Sequence, residues 1–263
     1  MQYDPIKNTI NIFIKSNKLI RRLFYICLDL LILRQWYVKR AIKKYVVFDQ
    51  DILFYDAGAG MCQYSDFVLR RCKRARVFAL DLKQDYINDF NSYLCVAKQN
   101  RFTFSEGDLS VHVLHEKKAD YTIAIDILEH IEDDHAVLKN FYDSMQDNGY
   151  LIISTPSDLD KTAAFTEEHV RAGYSKEDLV SKVETAGFEI VECNYTYGFW
   201  GRLYWLLIMR NSLVMVNFSK MMYVVLPFYL LVVMIPALLL MFLDFVTDKK
   251  AGNGIVLVGK RRL

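Results

Sequence analysis

Ile52-Leu53-Phe54-Tyr55-Asp56-Ala57-Gly58-Ala59-Gly60 is the stretch whose reading decides the fold. A short β-rich run ends in two closely spaced glycines, and residues 62–73 then take up helical periodicity. The glycines therefore fall in the turn between a strand and a helix. Glycine lets a backbone turn tightly there and approach a ligand. The alternation continues downstream. Arg76–Leu80, Phe102–Ser105, Tyr121–Ile125, Leu151–Ser154 and Phe188–Cys193 read as strands. Residues 84–98, Asp133–Met145 and Ser175–Ala186 read as helices, the last opened by the capping pattern Ser175-Lys176-Glu177-Asp178. A final run, Ile255–Val258, reads as one more strand. Alternating strands and helices imply a parallel sheet covered on both faces. Right-handed crossovers then gather the strand C-termini on one edge.

That edge is acidic. Asp56 closes the first strand and Asp81 the second, Gly107-Asp108 follow the third, and Asp126 closes the fourth. Four carboxylates on one edge disfavour a phosphate and favour a cationic ligand. The dinucleotide fingerprint G-x-G-x-x-G fails, because its third glycine falls on Gln63. This weakens the reading as an NAD-dependent oxidoreductase. Asp81 stands twenty-one residues after Gly60, where a carboxylate can accept both hydroxyl protons of an adenosine ribose.

Taken together, Asp56-Ala57-Gly58-Ala59-Gly60, Ala79-Leu80-Asp81, Glu106-Gly107-Asp108, Asp126-Ile127-Leu128-Glu129-His130-Ile131 and Gly149-Tyr150-Leu151-Ile152-Ile153-Ser154-Thr155-Pro156 resemble the class I S-adenosylmethionine-dependent methyltransferases of the ubiquinone-biosynthesis and type 11 kind. Glu168-His169-Val170-Arg171 ahead of Tyr174 resembles them too, as does Ala186-Gly187-Phe188. The resemblance covers roughly residues 45–200 and the final strand. It departs from the family at Met61-Cys62, where another glycine is common. It implies an α/β, Rossmann-like seven-stranded sheet with a reversed last strand and helices on both faces. It implies S-adenosyl-L-methionine as cofactor, held by Asp56, Ala57, Gly58, Gly60, Asp81, Leu82, Gly107, Asp108, Leu109, Asp126 and Ile127. Within that set Gly58 and Gly60 lie under the methionine moiety, Asp81 binds the ribose, Asp108 lies near the adenine amine, and Asp126 and Ile127 line the methyl-donor pocket.

Methyl transfer is an in-line displacement, so alignment and desolvation supply much of the catalysis. A base is needed only when the acceptor must lose a proton. His130, after the fourth strand, is the candidate base, and a structural role at the strand end competes with that reading. His169 and Arg171 form a second candidate pair, with Arg171 suited to a phosphate or carboxylate of the acceptor and equally to a salt bridge with Glu167 or Glu168. No recognised metal spacing is present.

The flanks differ from this acidic centre. Residues 1–44 carry a net charge of +8, residues 45–200 of −12 and residues 201–263 of +6. Basic, apolar ends suit an anionic lipid surface better than nucleic acid. Residues 1–44 read as a basic amphipathic arm, helical over residues 8–44 and too interrupted by Asp29, Arg34 and Arg40 to span a bilayer. Residues 45–200 read as the cofactor-binding domain, 201–248 as a hydrophobic helical insertion, and 249–263 as the last strand. Met221–Leu243 contains no charged residue, though Pro227 and Pro236 lie within it. If the strands flanking the insertion share one sheet, both its ends return to the same side of a membrane, and a single crossing is excluded. A re-entrant hairpin, two crossings or kinked interfacial helices remain. Arg210 and Lys220 can snorkel to headgroups. The five cysteines are odd in number and lack C-x-x-C spacing, so reduced thiols on the cytoplasmic side of a membrane are expected, with monotopic or re-entrant association. No cleavable signal segment is visible.

The leading expectation is methyl transfer to a small or lipid-like acceptor at a membrane surface. The alternatives are a tethered enzyme acting on a soluble small molecule or glycan precursor, a non-catalytic membrane scaffold of the same fold, and an apolar cap buried against the protein or a second subunit.

Overall fold

The structure, a computed structural model, describes residues 17–115, 117–159, 170–219 and 221–262. Seven strands form one sheet: β1 (Leu53–Ala57), β2 (Arg76–Asp81), β3 (Phe102–Glu106), β4 (Ala119–Ile125), β5 (Met145–Pro156), β6 (Phe188–Thr196) and β7 (Gly254–Arg261). Their order is β3-β2-β1-β4-β5-β7-β6, and β7 runs antiparallel to both its neighbours. All seven coincide with the runs read from the sequence, the last one reversed.

Successive residues along a strand face opposite ways, and here they enter two different cores. Phe54, Ile123, Ile152 and Val256 pack on one face with α2 (Leu33–Tyr45), α3 (Gln63–Arg71) and α4 (Gln84–Tyr93). Tyr55, Ala124, Ile153 and Leu257 pack on the other with α6 (Asp134–Ser144) and α7 (Lys176–Thr185). The helix expected over 84–98 breaks at Leu94 into α4 and a single turn, α5 (Val96–Gln99). The caps are side chains: Asp133 accepts from Ala136 N, and Ser175 accepts from Asp178 N.

The basic arm divides. Helix α1 (Lys18–Leu31), capped by Asn17, ends at Ile32, whose extended backbone starts α2 at a new angle. Leu33, Val38 and Ile42 of α2 are fully buried, so this half of the arm is a layer of the main core. Helix α1 is different. Arg21 and Tyr25 are its buried residues, whereas Leu19, Ile20, Leu23, Ile26 and Leu30 are exposed. Arg21 turns inward beside Tyr25, with Phe24, Leu28 and Leu31 packed against the core, and the five exposed apolar side chains turn outward.

The insertion is a helical hairpin. Its first leg runs from α8 (Phe199–Trp205) through a π-helical turn, Leu206–Arg210, into α9 (Asn211–Phe218). Its second leg is α10 (Met222–Val246), one 25-residue helix containing Pro227 and Pro236. Both ends return to the sheet, as the topology requires. Among the described residues α10 is the one helix long and apolar enough to cross a membrane, judged by length and composition alone.

Candidate active site

The glycine turn is built from β2 as much as from β1. Gly58 N and Ala59 N both donate to Leu80 O, at 2.8 and 3.1 Å, and Gly60 N donates to Asp81 Oδ2 at 2.8 Å. Three consecutive N–H groups are thus committed inside the protein, which leaves carbonyl oxygens as the turn's available polar groups. Such a turn is unsuited to a pyrophosphate, which needs free N–H donors, and suited to an ammonium group. Asp81 completes the arrangement. Its Oδ1 accepts from Lys83 N at 2.9 Å, so both carboxylate oxygens are oriented by backbone while each keeps lone pairs for a further donor.

Gly58 cannot be replaced cheaply. It has φ +70°, and a Cβ there would lie 2.2 Å from Ile127 Cδ1. The close approach seats Ile127, and with it the end of β4, against the turn. The ends of β2 and β3 are joined by Gly107 N donating to Asp81 O at 3.2 Å. The turn, Asp81, Gly107 and Ile127 therefore stand together on one edge. Leu82 is half exposed beside Asp81, while Leu109 is buried. Asp108 is exposed, with Oδ1 held by Ser110 N and Oγ.

Asp56 has another occupation. It is buried, and its Oδ2 accepts from Ser65 N at 3.1 Å and Ser65 Oγ at 2.6 Å, tying β1 to the start of α3. Burial, reinforced by the charge of Asp81 and opposed by the Ser65 bonds, pushes its carboxyl up to about 7. A carboxyl raised in the folded state stabilises the fold below its unfolded value of about 4, and that contribution is lost as pH rises toward 7. Asp56→Asn removes the titration. The melting temperature of wild type relative to Asp56→Asn is therefore expected to fall between pH 5 and about 7 and then level off. Parallel melting curves across that range would refute the assignment.

Beyond Asp126 lies a cavity of about 330 Å³, a size suited to a small molecule or one end of a larger one. Its floor is the ends of β4 and β5, at Asp126 and Ser154–Pro156. Its roof is Ile32 and Arg34 of the arm with Arg202, Trp205, Leu206 and Met209 of the insertion. Arg34 forms an ion pair with Asp126. Asp126 and Tyr197 have φ of +51° and +54°, and both line this cavity. A left-handed tyrosine is uncommon and strained, and such strain concentrates at functional sites. The π turn is a second irregularity of that kind. It is braced by Tyr229 of α10, whose hydroxyl donates to Leu207 O at 2.6 Å.

Two of the candidate catalytic residues, His130 and Arg171, lie off this cavity. His130 ends a 3₁₀ turn, Leu128–His130, and does not line it. Arg171 donates to Leu128 O, Asp134 Oδ2, Tyr174 Oη and Glu132 O. Its guanidinium thus pins the segment after β5 to the start of α6, and its ion-pair partner is Asp134. His169 lies outside the described residues. Met61, where the sequence departs from the family, has its carbonyl oxygen bound by Tyr25 Oη of α1 at 2.6 Å, so the arm docks on the turn itself.

Residues 55–151 match the sequence profile of a family described as a methyltransferase domain. Residues 55–151 thus form a methyltransferase domain, set in a fold shared with solved S-adenosylmethionine-dependent methyltransferases. S-Adenosylmethionine is the cofactor of this methyltransferase, and the committed N–H groups of the glycine turn agree with that cation. The fold extends beyond the matched residues. A methyltransferase from Mesorhizobium loti superposes with TM-score 0.53 at 12% identity, over 84% of this chain and 96% of that one. The phosphoethanolamine N-methyltransferase 2 of Haemonchus contortus, in complex with S-adenosyl-L-methionine, gives 0.55 at 15% identity, over 86% and 52%. The cyclase SpnF gives 0.56 at 14% identity, over 86% and 80%. No curated protein matches the methyltransferase in sequence.

Proposed function

We propose that this methyltransferase acts at the cytoplasmic face of a membrane, on an acceptor that enters from the lipid side. One observation carries the reading: α1 is amphipathic and turned inside out. Buried Arg21 donates to Tyr25 Oη at 3.3 Å and lies over the Tyr93 ring at 5.7 Å, while five large apolar residues of the same helix face solvent. A helix folded for water alone would present the opposite side to its core. The hairpin shows a matching surface, with Tyr223, Val224, Phe228, Leu231, Val232, Ile235, Leu239 and Phe242 of α10 exposed. Contiguous apolar surface on this scale marks a lipid or protein interface. The basic residues at both ends of the chain suit anionic headgroups. The five free cysteines suit the reducing side.

A shallow attachment fits better than two crossings. Exposed Arg210 lies midway along the first leg and would sit near the bilayer centre in a spanning hairpin, where a charge is costly. A hairpin lying in the interface keeps it among headgroups.

In the reaction, S-adenosylmethionine supplies an electrophilic methyl carbon bonded to a sulfonium. The protein contributes placement. Asp81 is set to hold the ribose, and the carbonyls of the glycine turn the amino group. Asp126 and the cavity beside it define where the acceptor nucleophile approaches. The arm and insertion that roof this cavity exclude water and leave an apolar wall.

The reading is tested by flotation with vesicles containing anionic lipid. The full chain is expected to float with them. Leu19→Ser, Leu23→Ser and Ile26→Ser combined should reduce flotation by about tenfold or more, since each apolar side chain taken from water contributes about 1.5–3 kcal/mol. S-Adenosylhomocysteine binding should be retained. A protein that stays with the aqueous phase while binding that nucleoside normally would overturn the membrane reading.

A further inference from the structure

We infer that the cavity beside Asp126 takes an amphiphile bearing an anionic group, a phosphate or carboxylate, which Arg202 and Arg34 hold next to the transferable methyl. The inference rests on the methyltransferase reading and adds the substrate class. Two guanidinium groups converge on this one cavity, and among the described residues Asp126 is the one carboxylate in its wall. Asp126 already pairs with Arg34, so one positive charge is left over.

The donors are prepared rather than consumed. Arg202 Nε donates to Asn253 Oδ1 at 2.8 Å, which fixes the plane of the guanidinium and leaves its two Nη groups without a bond among the described residues. Arg34 Nε is buried with no partner. Its backbone N–H donates to Tyr197 Oη at 3.0 Å, which ties the residue to the strained side of the cavity. A planar guanidinium with two parallel N–H groups free among the described residues matches an oxyanion. The roof around the two arginines is apolar, with Ile32, Trp205, Leu206 and Met209, while Ser154, Thr155, Thr196 and Tyr197 add hydroxyl groups to the lining. Leu206 and Met209 belong to the π turn, whose wider coil alters the facing of the helix at this point. Phe199 and Leu203, on the same helix as Arg202, are exposed and continue the apolar surface outward. An anion beside an apolar channel that runs out to a lipid-facing hairpin describes a single-tailed or polyisoprenoid-like amphiphile better than a free sugar or amino acid.

The test uses the full chain with dodecyl phosphate below its micelle concentration, dodecanol and inorganic phosphate as probes. Binding is followed calorimetrically in the presence of S-adenosylhomocysteine. Dodecyl phosphate is expected to bind about tenfold or more tighter than dodecanol, and inorganic phosphate at equal concentration should not displace it. Arg202→Gln should weaken dodecyl phosphate binding by about tenfold or more, the usual worth of a hydrogen bond to a charged group. Arg210→Gln, which removes an equal charge outside the cavity, should leave it unchanged. Equal binding of dodecyl phosphate and dodecanol, displacement by free phosphate, or insensitivity to Arg202→Gln would each overturn the inference, with the methyltransferase reading intact so long as S-adenosylhomocysteine binds. Failure of that nucleoside to bind wild type would overturn the reading underneath.

Discussion

Asp81→Ala is expected to weaken S-adenosylmethionine binding by about a hundredfold or more. The carboxylate stands at two junctions at once. Toward the protein it accepts Gly60 N and Lys83 N, and so sets the curvature of the glycine turn. Toward the ligand it offers its remaining lone pairs to the ribose hydroxyls. Alanine removes both and leaves two backbone donors facing a gap. A hydrogen bond to a charged group contributes about 1.5–3 kcal/mol, so losing two on the ligand side alone reaches the stated factor. Asp81→Asn separates shape from charge. Its amide replaces one oxygen with an NH₂ that must face either Gly60 N–H or Lys83 N–H, donor against donor, so it should bind nearly as poorly as alanine. Calorimetry with S-adenosylmethionine and S-adenosylhomocysteine checks this, with the second ligand lacking the sulfonium charge. Both ligands should lose similar factors, because Asp81 acts on the adenosine. Binding within about threefold of wild type would remove Asp81 from the donor site.

The parts of the site built from strand ends were legible in the sequence, because a parallel sheet with right-handed crossovers delivers its C-termini to one edge whatever the loops do. Gly58, Gly60, Asp81, Gly107 and Ile127 are fixed by that rule. Asp56 shows its limit. An acidic residue before the glycines reads equally as a ligand contact or as a cap, and only the Ser65 bonds show where its Oδ2 is spent. Arg171 was read as an anion contact of the acceptor or as a salt bridge with Glu167 or Glu168, and among the described residues it pairs with Asp134, thirty-seven residues away. The cavity beside Asp126 was legible only at its floor, in Asp126 and Ser154–Pro156. Arg34, Tyr197, Arg202 and Trp205 come from segments on either side of the recognised domain, and no local period marks them as neighbours. Their meeting depends on where α1 turns into α2 at Ile32 and where the hairpin returns. Pro227 and Pro236 do not end the helix: proline penalises a helix locally, and α10 continues through both.

The meeting point of arm and insertion has a buried carboxylate as anchor, and its removal is the second large effect. Asp244 is fully buried near the end of α10. Tyr37 Oη of α2 donates to its Oδ2 at 2.6 Å, Gly201 N of α8 donates to its Oδ1 at 2.9 Å, and Lys249 Nζ lies 3.8 Å from Oδ2. One carboxylate thereby joins both legs of the hairpin to the main core. Gly201 has to be glycine for this, since a Cβ there would stand 3.0 Å from Asp244 Cγ. Burial and the neighbouring carboxylate push the Tyr37 hydroxyl far up, which keeps it a donor at every physiological pH. Burial pulls the Lys249 ammonium down, so that cation relies on Asp244 as its counter-ion. Asp244→Ala removes the counter-ion of a buried ammonium and the acceptor of Gly201 N, and leaves Tyr37 Oη and Lys249 Nζ with backbone acceptors alone, Asp244 O for both and Thr247 O for Lys249, which costs about 3–5 kcal/mol. For a chain of this size that corresponds to a fall in melting temperature of roughly 6–20 °C. Asp244→Asn keeps one oxygen to accept from Gly201 N, and its NH₂ can donate to Tyr37 Oη in place of accepting from it, so it should lose less. The hairpin forms the roof of the acceptor cavity, while the donor site lies on the ends of β1 and β2. Below its melting temperature Asp244→Ala should therefore bind S-adenosylhomocysteine near wild-type strength and lose affinity for dodecyl phosphate. Equal loss of both ligands would mean that Asp244 supports the whole domain rather than the junction, and an unchanged melting temperature would mean that it anchors neither.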